Sequence, residues 1–354
     1  MRDAPCTPCR HPLATGPAPG TGGEPRATRL PAAHSARQKC QVSAGIVKQN
    51  ERCDEIEELA RRCVVILLAV VTVVIPAHNE SHVIGPLLRK LISADGEREL
   101  AITVVASGCS DNTSEIAASF GKNVRVITIP AGSKRRALLA GDAAATSFPR
   151  FYVDADVEIG VADVLALAAE LAKPGVLAAV PERVLALDRC TRLVRWYYDI
   201  WQRLPEIRRG MFGRGVLGVN EAGHRRLRDM PPIIAGDLAA SLPFAHAERR
   251  VVPQARVLCR VPGNLTALVR YRGCVASEIA RVGELRGALS WETRAYPSDL
   301  LGILRTEPGA TPAIVVFLLV TVAGWIGARA RGRGVASSPA GAGRAGGGWG
   351  CRPG

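Results

Sequence analysis

The strongest local signal for chemistry in this chain is Asp154-Ala-Asp156, delivered by the apolar run Phe151-Tyr-Val153. Read as a strand end, its alternation turns both carboxylates to one side, where they reach one hard divalent cation directly or through water. Mg²⁺ or Mn²⁺ held there would bridge to phosphate oxygens and neutralise a departing diphosphate. The spacing alone is weak, because paired carboxylates at a strand end also serve simply to solvate a turn. Three further polar turns strengthen it. Val73-Val-Ile-Pro-Ala-His-Asn-Glu80 runs through Pro76 into His78, Asn79 and Glu80. Ser107-Gly-Cys-Ser-Asp-Asn-Thr113 has Gly108 for a tight turn, with Asp111 and Asn112 able to cap a helix while facing a ligand. Gly132-Ser-Lys134 sets a lysine near a helix start, a place that favours anions.

These turns need strands to bring them together. Residues 64–77 are apolar, β-branched and end at Pro76; at that length they suit a buried parallel strand better than a membrane span of about twenty residues. Similar runs at 101–106, 124–130 and 150–154 alternate with helical patterns at 81–94, 113–120 and 133–145. That order predicts an α/β fold with a mostly parallel sheet and helices on both faces, and places every polar turn at a carboxyl strand end, where such sheets bind ligands. The second half is less regular: helices at 161–172 and 187–207, a glycine-spaced strand at 210–220, a short basic helix at 221–228, and a helix after Pro231-Pro232 that starts near Asp237.

The residues from Val71 to about Gly273 resemble the family 2 glycosyltransferases of the GT-A fold. Val-Ile-Pro-Ala-His-Asn-Glu80 resembles their opening donor-site turn. Ala106-Ser-Gly-Cys-Ser-Asp-Asn-Thr113 resembles their nucleotide-contacting turn, with Ser107 where Asp or Asn is more common. Gly132-Ser-Lys-Arg-Arg-Ala-Leu138 resembles their Gly-x-Lys-x-x-Ala-Leu segment, and Asp154-Ala-Asp156 their metal motif. The resemblance implies a nucleotide-sugar-binding fold and an inverting, metal-assisted hexosyl transfer from a nucleotide-diphosphate sugar to an acceptor hydroxyl. It implies donor contacts from Pro76, His78, Asn79, Glu80, Ser107, Asp111, Lys134 and Asp154, and metal contacts from Asp154 and Asp156. It also implies a downstream catalytic carboxylate; Asp237 is the residue in place, with Gly236 where the family commonly has a second acid. The segment 210–219, with Phe212 and Gly213-Arg-Gly215, resembles the strand beside the acceptor. Ala267-Leu-Val-Arg-Tyr-Arg-Gly273 resembles a basic stretch that closes over the diphosphate, through Arg270 and Arg272.

Four segments follow: a Pro/Gly-rich extension at 1–62 expected to be disordered, a transferase domain at 63–305, a hydrophobic C-terminal helix at 306–333, and a Gly/Ala/Ser-rich disordered tail at 334–354. Residues 311–328 are uncharged, with Trp325 near one end and Arg329, Arg331 and Arg333 after it. This reads either as a marginal membrane anchor or as a buried terminal helix, and it points towards a lipid or cell-envelope glycan acceptor. The first sixty residues lack a charged start followed by an apolar run, and the ten cysteines are scattered, so free thiols in the cytoplasm are expected. The lone Cys6-x-x-Cys9 has no second pair to complete a zinc site. A net charge of +14 suits a nucleotide diphosphate or anionic lipid, whereas 5% aromatics with no aromatic-basic interleaving argues against a nucleic-acid stacking platform. Two other classes fit parts of the pattern. A nucleotidyltransferase would carry a glycine-rich basic loop where Pro76-Ala-His-Asn-Glu80 stands. A non-catalytic, membrane-associated transferase relic would draw on Ser107 and the single acid at Asp237.

Overall fold

The computed structural model describes residues 70–92, 100–130, 132–229, 243–286 and 297–335. The extension at 1–62, the tail from 336 onward, and the segment with Asp237 lie outside the described residues. Four strands, β1 (Thr72–Ala77), β2 (Ala101–Ser107), β3 (Val124–Ile129) and β4 (Arg150–Val153), pair in parallel in the order β3-β2-β1-β4. Every residue of β1 is buried, as its unbroken apolar run requires of a central parallel strand.

Alternation along β1 sends residues to opposite faces. Val73 and Ile75 join a core with Leu87, Leu88 and Leu91 of α1 (Ile84–Leu91) and Ala117 of α2 (Thr113–Ala118). Val74 faces the other way, against α3 (Lys134–Ala144). There Gly141 lets the helix touch the sheet: a Cβ on it would lie 2.3 Å from Val74 Cγ1. Helices thus cover both faces, and the three βα units and the fourth strand stand where the alternating pattern put them, with different end residues.

Beyond β4 the sheet is mixed. The remaining elements are β5 (Val157–Glu158), α4 (Val161–Leu171), β6 (Ala178–Ala186), α5 (Arg192–Arg203), α6 (Pro205–Arg209), β7 (Val216–Val219), α7 (Glu221–Arg228), β8 (Arg249–Arg260), α8 (Leu265–Arg286), α9 (Pro297–Thr306) and α10 (Thr311–Val335). The eight strands run β3-β2-β1-β4-β7-β6-β8-β5. β7 is antiparallel to both β4 and β6, β6 is parallel to β8, and β5 is antiparallel to β8.

Several local expectations change. The helix expected at 187–207 is two helices, because Pro205 pushes Leu204 into an extended conformation (φ −65°, ψ 128°). The strand expected at 210–220 is only Val216–Val219; the glycines before it form a loop. β6 and β8 were not expected. Each contains a proline, and their register jumps from Pro181↔Val252 to Glu182↔Arg256, so residues 253–255 bulge out of the ladder. The basic stretch 267–273 is part of α8.

The C-terminal helix expected at 306–333 runs from Thr311 to Val335. The stretch Pro308–Ala330 is long and apolar enough to cross a membrane by length and composition. Yet one stripe of it, Ala313, Phe317 and Val320, is packed on protein, in a core shared with Tyr197, Trp201 and Leu268. The Tyr197 and Phe317 rings stack at 5.3 Å between centroids.

Candidate active site

Because β1 to β4 are parallel, the turns after them share one edge of the sheet, and a chain of contacts joins them. After β1, His78 Nδ1 lies 2.7 Å from the Ser107 carbonyl oxygen. A carbonyl only accepts, so Nδ1 carries the proton in this contact. Asn79 sits in the left-handed region (φ 54°), which asparagine tolerates, and its Oδ1 accepts from the Ser110 amide at 2.8 Å. Glu80 is buried, and its amide donates to Thr113 Oγ1 at 2.8 Å.

After β2, Asp111 ties the two turns together. Its Oδ2 accepts from the Ser81 amide at 3.1 Å, and its Oδ1 from the Thr113 amide and hydroxyl. Burial alone would raise its pKa; the donors from Thr113 and Ser81 outweigh burial and draw it down to about 2. This carboxylate ties the strand-end turns to each other. Ser107, fully buried, accepts from the Ser133 amide at 3.0 Å and donates to its carbonyl at 3.3 Å. This fastens the cap of α3, where Ser133 Oγ accepts from the Arg136 amide.

Lys134, the first residue of α3, pairs with Asp154 at 2.6 Å between Nζ and Oδ1; both side chains are largely buried. β4 ends at Val153, so Asp154-Ala-Asp156 is a turn between β4 and β5, not a continuation of the strand. Strand alternation therefore does not set the direction of its two carboxylates. The turn still buries Ala155 and leaves Asp154 and Asp156 half-buried on either side of it. The Asp154 amide donates to the Gly215 carbonyl at 2.8 Å. Gly215 has φ 63°, and a Cβ there would fall 2.5 Å from Val157 Cγ1, so only glycine brings this loop so close.

Two arginines that sequence reasoning missed hold that loop. Arg214 is fully buried and donates to the carbonyls of Pro181 (2.7 Å), Arg208 (3.0 Å) and Gly210 (3.1 Å). Arg183 donates to the carbonyls of Phe212 and Ile207 and lies over the Trp201 ring at 4.3 Å. Burial, then the neighbouring Arg183 charge, draws Arg214 down to about 10. A charged residue between two glycines in 213–215 was the one visible signal for it.

Pro76, His78, Asn79, Glu80, Ser107, Asp111, Lys134 and Asp154 are thus brought to one edge, with Asp156 in the same turn as Asp154. Arg270 and Arg272 are not part of this contact chain. They project from α8; Arg272 lies 5.9 Å from the Tyr197 ring and packs against Gly324 of α10. Among the described residues no group of three or more His, Cys, Asp or Glu side chains is placed to hold a metal. Mg²⁺ does not require one, since one or two carboxylates commonly suffice alongside substrate phosphates. Two aspartates on a short, half-buried turn fit that requirement.

At the opposite end of β4 lies a second polar cluster. Asp142 of α3 forms an ion pair with Arg150, accepts from Tyr152 at 2.7 Å, and meets His224 Nε2 at 2.6 Å. Burial would raise the Asp142 carboxyl, but donors from His224, Tyr152 and Arg150 pull it from 3.8 to about 2. Its contribution to stability, roughly 2 kcal/mol, is complete above about pH 4 and lost as pH falls through the depressed value. Asp142→Asn is accordingly expected to be less stable at pH 7, with the difference from wild type closing as pH falls towards 2. Urea unfolding across that range measures it; a difference independent of pH would remove the charge from the account.

The fold and this edge place the molecule among the α/β proteins that bind ligands at the carboxyl ends of a parallel sheet. More narrowly, residues 72–230 match the family model described as glycosyl transferase family 2. Similar solved structures include glucosyl-3-phosphoglycerate synthase from Mycobacterium tuberculosis in complex with Mn²⁺, UDP-glucose and phosphoglyceric acid. It is 18% identical, with a TM-score of 0.45 and coverage of 64% of this chain and 84% of that one. A mycobacterial protein of known crystal structure is 20% identical, with a TM-score of 0.41 and coverage of 64% and 78%. No curated protein matches the chain.

Proposed function

We propose that the chain transfers a hexosyl group from a nucleotide-diphosphate sugar to an acceptor hydroxyl, with inversion at the anomeric carbon. The observation that carries this reading is the Lys134–Asp154 pair at 2.6 Å, set beside Asp156 on the edge where the turns of four strands converge. A lysine at a helix N-terminus offers an ammonium and backbone amides to a diphosphate. Asp154 and Asp156 are the residues that would hold Mg²⁺ or Mn²⁺, which when bound supplies charge neutralisation to the leaving diphosphate. His78, Asn79 and Glu80 with Ser107 shape the donor turn, and Asp111 keeps that turn rigid. The loop 210–215 is assigned to the acceptor side.

Asp237, outside the described residues, is assigned as the general base that takes the proton of the attacking hydroxyl. A single displacement of this kind inverts the sugar. That assignment and the limits of 63–305 for the transferase unit rest on the sequence resemblance, since the family match itself spans residues 72–230. The site belongs on the cytoplasmic side, where nucleotide sugars are held in a reducing environment; the C-terminal helix accounts for membrane association.

The test is a panel of nucleotide sugars with Mn²⁺, read by release of nucleoside diphosphate and by thermal shift, since ligands that bind the native state raise its melting temperature. Turnover of at least one donor is expected, with the matching nucleoside diphosphate giving a metal-dependent shift. Neither shift nor release across the panel would overturn the reading. Asp237→Asn should cut turnover by about 10²–10⁴-fold while leaving the diphosphate shift unchanged. An equal loss of donor binding would move Asp237 from base to binding residue.

A further inference from the structure

A cavity of about 580 Å³ lies between α5, α8, α9 and α10, away from the strand-end site. Its size is within the range of small-molecule pockets, about 300–1,000 Å³. Its walls are apolar and aromatic, with Trp201, Leu304, Phe317 and Trp325 among them, and Arg272 is the charged residue in the described lining. Three residues of this wall, Leu301, Leu318 and Trp325, are also more than 40% exposed. The cavity therefore opens onto the outer face of α10, where Leu319 (65% exposed), Val322 and Ile326 (62% exposed) continue an apolar stripe. A stripe of that extent on the outside of a packed helix signals an interaction surface. At its end Arg329 sits 5.9 Å from the Trp325 ring. An apolar helix face ending in tryptophan and arginine is the pattern of a helix lying in the surface of an anionic bilayer.

We propose that the outer face of α10 rests on an anionic membrane and that the cavity behind it takes the hydrocarbon chain of an anionic lipid from that membrane. Arg272 and Arg329 provide the charge complementarity, one within the cavity wall and one at the mouth. The apolar continuity between wall and outer stripe gives the chain a path that never crosses water. Because one stripe of α10 is already packed against Tyr197 and Leu268, the helix lies on the bilayer and does not pass through it as a lone span. This inference is independent of the transfer reaction, since its readout is lipid binding alone.

The test uses the full chain and its own tryptophans. Trp201 is only 6% exposed and lines the cavity, so it reports a bromine that enters. Dibrominated stearate, added without vesicles, is expected to quench a component of the emission that Trp201→Phe removes. Its methyl ester, lacking the negative charge, should bind about tenfold more weakly, and Arg272→Gln should erase that difference. Ala276→Phe fills the cavity from α8 and should abolish the quench by stearate while leaving sedimentation with phosphatidylglycerol vesicles unchanged. Leu319→Glu with Ile326→Glu should do the reverse. No stearate quench of Trp201 in the wild-type chain would overturn the cavity assignment, as would equal binding of acid and ester, or a quench untouched by a folded Ala276→Phe variant. Equal sedimentation with phosphatidylglycerol and phosphatidylcholine vesicles would overturn the anionic surface. If Ala276→Phe fails to fold, the acid-against-ester comparison in the wild-type chain decides.

Discussion

Replacing Asp156 with alanine is expected to remove sugar transfer and leave the fold intact. The residue is half-buried in the short turn between β4 and β5, so the cost in stability should stay within about 0.5 kcal/mol. The catalytic cost is larger because the carboxylate is assigned to charge that matters most as the diphosphate departs. Losing one such electrostatic contact typically costs about 10²–10³-fold in turnover. Two measurements separate this from a general defect. Urea unfolding should match wild type, and the Mn²⁺-dependent part of the nucleoside diphosphate thermal shift should vanish. Wild-type release of nucleoside diphosphate at saturating Mn²⁺ would take the metal role away from this turn.

Arg214→Met should produce the largest loss of stability among single changes near the site. The guanidinium is fully buried and gives hydrogen bonds to three carbonyls, those of Pro181, Arg208 and Gly210. Methionine keeps most of the volume but leaves these acceptors without donors in a dry interior, at a cost of about 1–3 kcal/mol for an unsatisfied buried group and roughly 3–5 kcal/mol for the set. The melting temperature should fall by roughly 10 °C. Lysine at this position keeps the charge but cannot reproduce the planar fork, so an intermediate fall is expected. Because the next residue, Gly215, takes the Asp154 amide, activity should fall further than stability explains. A melting temperature within about 2 °C of wild type would show that the 210–215 loop holds itself.

The first half of the fold was legible in the residues because three of its strands, β1, β2 and β4, are buried along nearly their whole length. Runs such as Val73-Val-Ile75 and Val104-Val105 leave little choice but a central parallel sheet, and the polar turns after them then share an edge. Lys134 and the two aspartates were found the same way. The second half resisted because its strands carry mixed signals. β8 mixes arginines and valines without alternation and bulges after Val252, and β6 carries Pro181 at the register shift, so neither reads as a clean period. Arg270 and Arg272 were read as closing over the diphosphate from charge density; that they sit on α8, with Arg272 against Gly324 of α10, was not visible in sequence. Asp111 was read as capping a helix while facing a ligand; its contacts with Ser81 and Thr113 show the capping part. Arg183 gave no signal at all; its role depends on Phe212, twenty-nine residues further along the sequence.

The order of strands in the sheet also bears on how the chain is made. β1, β2 and β3 pair with near neighbours in sequence, so this part can assemble as it leaves the ribosome. The far edge cannot: β5 pairs only through Val157↔Cys259 and Glu158↔Leu258, and one side of β6 waits for the same β8. A nascent polypeptide stalled before residue 249 would hold open strand edges with nothing to close them, the kind of exposed template that invites aggregation and chaperone capture. Synthesis of β8 is then the event that seals the sheet, about a hundred residues after β5 has emerged.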